Sequence, residues 1–174
     1  VCSSDLYKGT LKLGETTPSF DAETDPDHFY PTDHIRMDDL VLATKQFIGP
    51  ISQIPPIYSA ITVNGQRLYK LAREGSDYIP EPRQVEIFDF LVTAVRFPFL
   101  DFTVRCSKGT YIRSLANDFG KAVGSGAYLT ALKRTGSGDY TIGDAMSMDT
   151  IIAHIKVSKE KLACLPADDL VLEG

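Results

Sequence analysis

Val104-Arg105-Cys106-Ser107-Lys108-Gly109-Thr110-Tyr111-Ile112-Arg113-Ser114-Leu115-Ala116 changes its period halfway along. Phe102 and Val104 alternate with Thr103 and Arg105, which is the spacing of a strand. From Ile112 the apolar residues fall at Ile112, Leu115, Ala116 and Phe119, one face of a helix. Gly109 stands at the corner between them. Thr110 is the expected N-cap, because its hydroxyl can accept from an unpaired amide. Arg113 then lies in the first helical turn, where a cation opposes the helix dipole by about 0.3–1 kcal/mol. An anion should therefore face Arg113: a phosphate, a carboxylate, or both. The same string loosely resembles a phosphate-cradling loop, but it lacks the GxxxxGK[ST] spacing that a nucleotide-triphosphate site needs. A surface corner with solvated charges accounts for these residues equally well.

Outward from this corner, strands and helices mix without βαβ regularity. Tyr7, Gly9, Leu11 and Leu13 alternate with polar residues and predict a half-buried strand from Tyr7 to Leu13. Ser19 to His34 is rich in Asp, Pro and Thr and reads as an acidic loop. Arg36 to Phe47 is amphipathic, and Gly49-Pro50 stops it. Pro55-Pro56 imposes extended backbone before a predicted strand, Tyr58 to Val63. Asn64-Gly65 makes a turn, and Gln66 to Arg73 reads as a short helix. Val85 to Phe97 and Phe99 to Cys106 are long alternating strands around Pro98, a predicted hairpin. The helix after the corner should run to about Val123. Thr135 to Gly138 reads as a turn, Tyr140 to Ile142 as a short strand, and Ser147 as the cap of a helix from Met148 to Ile155. The expected fold is α+β, around a largely antiparallel sheet flanked by helices.

Composition narrows the function. In 174 residues, 43% of them hydrophobic, there is enough apolar material for one real core. No run reaches the ~20 apolar residues of a membrane span. Cys2, Cys106 and Cys164 form neither a disulfide framework nor a metal pattern, which points to a reducing, cytoplasmic setting. His28, His34 and His154 are isolated. The net charge of −5 argues against indiscriminate binding of nucleic acid. Between Val92 and Arg134, however, Arg96, Arg105, Lys108, Arg113, Lys121, Lys133 and Arg134 outnumber Asp101 and Asp118. A basic segment on an acidic body suits a protein that binds one shaped polyanion.

QIPPIYSAITVNGQRLYKLAREG (53–75), VRCSKGTYIRSLANDFG (104–120) and GAYLTALKRTGSG (126–138) resemble successive motifs of the bacterial tRNA pseudouridine synthase B family. YKGTLKLGETTPSFDAE (7–23) resembles the strand that follows that family's catalytic loop. The resemblance implies a pseudouridine synthase catalytic fold. It implies isomerisation of uridine 55 in the tRNA T-loop, with no metal or organic cofactor. An aspartate acts as nucleophile, the glycosidic bond breaks, and the uracil turns and rejoins through carbon 5. By resemblance Tyr7 is the active-site tyrosine that stacks on the base, and Arg113 pairs with the nucleophilic aspartate. Tyr111 and Leu132 line the uridine pocket. Lys108, Lys133 and Arg134 are expected on tRNA phosphates, with Arg67, Lys70 and Arg73 adding contacts. Tyr58 and Ser59 are expected to support the floor of the site.

The family's nucleophile lies in a G-x-x-D-P-type motif that this sequence does not contain, and neither Asp5 nor Asp21 is assigned that role. VCSSDL (1–6) is what a common sequencing adapter yields when translated in frame. The expected organisation is therefore foreign residues 1–6, the C-terminal portion of the catalytic domain over 7–146, and a helix and tail over 147–174 too short for a PUA domain. On this reading the chain is an N-terminally truncated, inactive monomer that meets the T-arm of tRNA, with no membrane or metal. Two further readings stay open: a non-catalytic tRNA-binding or chaperone module, and a small-molecule phosphate binder at the Gly109 corner.

Overall fold

A computed structural model describes residues 4–59, 62–63, 65–69, 78 and 80–163. The chain divides into a larger unit, Val1–Tyr140, and a smaller one, Thr141–Gly174.

The larger unit is built on β1 (Ser4–Leu13), which pairs antiparallel with β8 (Phe99–Ser107) on one side and β9 (Ala127–Ser137) on the other. β7 (Arg83–Arg96) continues the sheet beyond β8, and β4 (Gly49–Gln53) pairs with β7 only over Arg83 to Ile87. With β10 (Tyr140–Thr141) the order is β10-β9-β1-β8-β7-β4. Two minor ribbons pair β2 (Glu15–Thr16) with β3 (His28–Phe29), and β5 (Thr62–Val63) with β6 (Gln66–Arg67). Two helices of this unit, α1 (Met37–Gln46) and α2 (Ile112–Ala122), complete the expected α+β class.

Alternation along the strands sends Leu11, Leu13, Leu100, Phe102, Val104 and Cys106 to one sheet face, where they are buried. Leu40 and Ala43 of α1 and Ile112, Leu115, Ala116 and Phe119 of α2 close over them. Phe90 meets Phe102, Phe119 and Phe47 edge-on, at centroid distances of 5.7, 5.6 and 6.2 Å. The other sheet face carries Lys8, Thr10, Asp101 and Thr103 between the same strands.

The deciding corner forms as read: strand to Ser107, Gly109 at φ +85°, helix from Ile112. Its cap does not. Tyr111 is the N-cap, and the Thr110 hydroxyl donates back to the Ser107 carbonyl at 2.8 Å. Thr110 stands one residue before the N-cap, and its hydroxyl is turned back to Ser107. Four other local readings change. β1 starts at Ser4 rather than Tyr7. Residues 135–137 continue β9 where a turn was read, because pairing with β1 overrides the Gly-Ser punctuation. Gln66 and Arg67 are a strand, not a helix start, and Tyr58 and Ser59 form a bend rather than a strand. Lys70 and Arg73 lie outside the described residues.

In the smaller unit α3 (Met148–Ala163) runs past the expected Ile155. The Ser147 hydroxyl accepts from the Thr150 amide at 3.2 Å, the expected cap.

Candidate active site

Arg113 is the second residue of α2, and its guanidinium meets the carboxylate that the helix start calls for. Nη1 donates to Asp21 Oδ2 at 2.8 Å, and Nη2 donates to the Tyr58 carbonyl at 3.0 Å. The side chains are 24% and 16% exposed, so the pair is sheltered but reachable. Asp21 is held from several sides. Its Oδ1 accepts from Ser19 Oγ at 2.6 Å and from the Glu23 amide at 3.0 Å. Its backbone bridges to Leu129, and the preceding residue, Phe20, takes φ +62° and accepts from the Leu129 amide. Both carboxylate oxygens are thus engaged within the chain.

The helix start is clamped in turn. Buried Gln53 accepts from the Tyr111 amide at 2.7 Å and donates to the Tyr111 carbonyl at 3.1 Å. Ser114 Oγ donates to the Ile54 carbonyl at 2.8 Å. The QIPP stretch therefore sets where Arg113 points. Around the ion pair lies an open pocket of about 700 Å³, whose lining includes Asp21, Glu23, Tyr58, Ser59, Tyr69, Arg113 and Leu132. Leu132 is 45% exposed on the pocket wall, so it is not a core leucine. Ser59 is buried, and its Oγ has no hydrogen-bond partner among the described residues.

The other expected site residues fall elsewhere. Tyr7 and Tyr111 are not among the residues that line this pocket. Tyr7 stands opposite Val104 and Arg134, with its phenol 3.5 Å from Asp5 Oδ2. Burial raises the phenol's pKa above the usual 10.0, and the Asp5 charge adds to the rise, against a smaller opposing effect of Arg134. Tyr111 contributes through its backbone at the N-cap. Lys108 is exposed beside Gly109. Lys133 and Arg134 are strand neighbours. Lys133 pairs in register with Lys8, and Arg134 with Tyr7, so the two project from opposite sheet faces. Sequence reasoning missed Asp21 and Gln53. The demand for an anion at Arg113 was the signal for Asp21, but nothing local names a partner 92 positions away. Among the described residues no cluster of three His, Cys, Asp or Glu could hold a metal ion, and no helix is long and apolar enough to cross a membrane.

The fold is shared with solved structures. A Cbf5-Nop10-Gar1 complex matches with a TM-score of 0.63 at 22% identity, over 91% of this chain and 38% of that one. An H/ACA RNP bound to a substrate RNA containing 2'-deoxyuridine matches with a TM-score of 0.58 at 19% identity, over 91% and 36%. Residues 3–112 match the family model described as TruB family pseudouridylate synthase (N terminal domain), which defines the class as pseudouridylate synthase. Residues 113–172 match the tRNA pseudouridylate synthase B C-terminal domain. The tRNA pseudouridine synthase B of Flavobacterium johnsoniae is 50% identical over 142 residues, which are 82% of this chain and 62% of that one. Its counterpart in Chloroherpeton thalassium is 43% identical over 156 residues (88% and 64%). That in Parabacteroides distasonis is 47% identical over 160 residues (89% and 68%). The chain belongs to the TruB family. It spans a little under two thirds of the length of the first two relatives.

Proposed function

We propose that this domain serves the isomerisation of uridine 55 to pseudouridine in the T-loop of tRNA. The observation that carries the reading is the Arg113–Asp21 pair at the head of α2, open to a pocket large enough for a nucleotide. Asp21, with both oxygens engaged, is the anchor of Arg113 rather than the attacking group. Arg113 keeps further N–H groups to hold and orient a second carboxylate, the nucleophile, in the planar geometry that lysine lacks. That nucleophile is the aspartate of the family's G-x-x-D-P-type loop, a motif these 174 residues do not contain. Leu132 supplies an apolar wall for the flipped base; the stacking role that the resemblance implies for Tyr7 requires the base to reach past the lining of this pocket, towards Val104 and Arg134. A phenol raised above its usual pKa stays protonated at neutral pH, which favours stacking over proton removal. Unstacking the uridine costs a few kcal/mol, and aromatic and apolar walls with a basic rim offset that cost.

The test is tritium release from carbon 5 of labelled uridine in tRNA. The 174-residue chain should bind a T-arm hairpin in a salt-dependent way and release no tritium. Joined to the aspartate-bearing segment of a relative, it should turn over. In that longer protein Arg113→Ala should abolish turnover and leave tRNA binding largely intact. Near-normal turnover by Arg113→Ala would overturn its role, and release by the pure 174-residue chain would overturn the need for an outside acid. Binding without release in the longer protein would favour the chaperone reading.

A further inference from the structure

The sheet face turned away from α1 and α2 carries a second cleft, of about 540 Å³, between β1, β7, β8 and β9. Lys8, Thr10, Arg96, Asp101, Thr103 and Lys133 are among its lining. Three features set it apart from an ordinary solvated surface. First, Lys8 and Lys133 are directly opposite each other in the β1–β9 register. Like charges in that relation repel and weaken the pairing. Second, neither lysine has an ion-pair partner among the described residues. Third, the acid within the cleft, Asp101, is already taken. Arg96 Nη2 donates to both its oxygens, at 2.8 and 2.7 Å, and Thr10 Oγ1 donates to Oδ1 at 2.7 Å. Two lysines thus stand opposite each other at this cleft, and among the described residues no carboxylate pairs with either. A bound anion would supply the missing counter-charge.

Its source follows from where the cleft lies. Ala131 and Leu132 line both this cleft and the Arg113 pocket, so the two adjoin along β9. A polyanion that places one unit against Leu132 in the first pocket has its continuing backbone at Lys133 and Lys8. We propose that this cleft is a second RNA site, where Lys8 and Lys133 jointly bind phosphates of the strand that flanks the pocket-bound nucleotide. The inference rests on the RNA reading above and extends it to the opposite sheet face. It gives Lys133 and Arg134 different tasks, since only Lys133 faces this cleft.

The test is the salt dependence of binding of a T-arm hairpin RNA to the full chain, read by fluorescence anisotropy between about 50 and 300 mM monovalent salt. Each lysine–phosphate contact contributes about 0.7–0.9 to the slope of log K against log salt. The Lys8→Ala/Lys133→Ala double variant should lower that slope by about 1.4–1.8 and weaken binding at low salt. Lys8→Arg/Lys133→Arg should keep both. Removing the repelling pair should leave the thermal midpoint unchanged or raised, so a loss of binding is not a loss of folding. Wild-type binding with an unchanged slope in the double variant would overturn this inference and leave the proposed function standing. Absence of any binding by the wild type would overturn both.

Discussion

Arg113 uses two of the five N–H groups of a guanidinium on its own chain, one for Asp21 and one for the Tyr58 carbonyl. That division fixes the plane of the group while leaving donors for a substrate-side acid. Lysine could not make it, having one nitrogen and no plane. Tyr7 shows the opposite arrangement, a side chain whose surroundings resist charging. Burial, then Asp5, raise its pKa above 10.0. The native state therefore holds the phenolic proton more tightly than the unfolded chain does. This contribution to stability is complete below about pH 10 and is lost as pH rises through the folded value. Phenol ionisation followed at 295 nm should show one tyrosine titrating late, and Asp5→Asn should bring its midpoint down. An unmoved midpoint in Asp5→Asn would contradict the Asp5 contribution and leave burial as the cause. Of these residues, Arg113 was legible in the sequence, because a cation in the first helical turn demands an anion. Asp21 was not legible as its partner, because the loop that carries it is placed by backbone contacts to Leu129.

Among the elements, the start of α2 depends on one amide side chain. Gln53 bonds both the N–H and the C=O of Tyr111 from a buried position. Gln53→Ala leaves the Tyr111 amide without its partner, which costs about 1–3 kcal/mol. Gln53→Glu should not rescue it, since a carboxylate can accept from that amide but would repel the carbonyl. Urea denaturation of the three proteins checks the order. The corner itself was readable because its signals are local: alternation, a glycine with positive φ, then helical spacing. β9 was not readable as one strand. Gly136 looks like a breaker, yet it pairs with Leu6 of β1, and only the assembled sheet makes that favourable. The N-cap reading failed for a local reason: the helix starts one residue later, after Tyr111, and the Thr110 hydroxyl turns back to Ser107.

For the whole molecule, the class of fold followed from the irregular mixture of strand and helix patterns, and the sheet order did not. Placing β1 between β8 and β9 joins segments about a hundred residues apart, which no local pattern encodes. The same topology separates the charged residues. Those that look contiguous along β9 are dealt alternately to two faces, so a basic stretch of sequence becomes two basic surfaces. The outer side of β7 carries a different consequence. β4 covers it only from Arg83 to Ile87. From Phe88 to Arg96 its peptide groups have no neighbouring strand on that side among the described residues, and Leu91 there is 53% exposed. Such a ribbon is a template on which a second molecule can crystallise strand by strand. Light scattering during slow warming of concentrated protein should rise before the global melt, and Leu91→Lys should delay it. The shelf life of the protein is then governed by nine residues, none of which lines the Arg113 pocket.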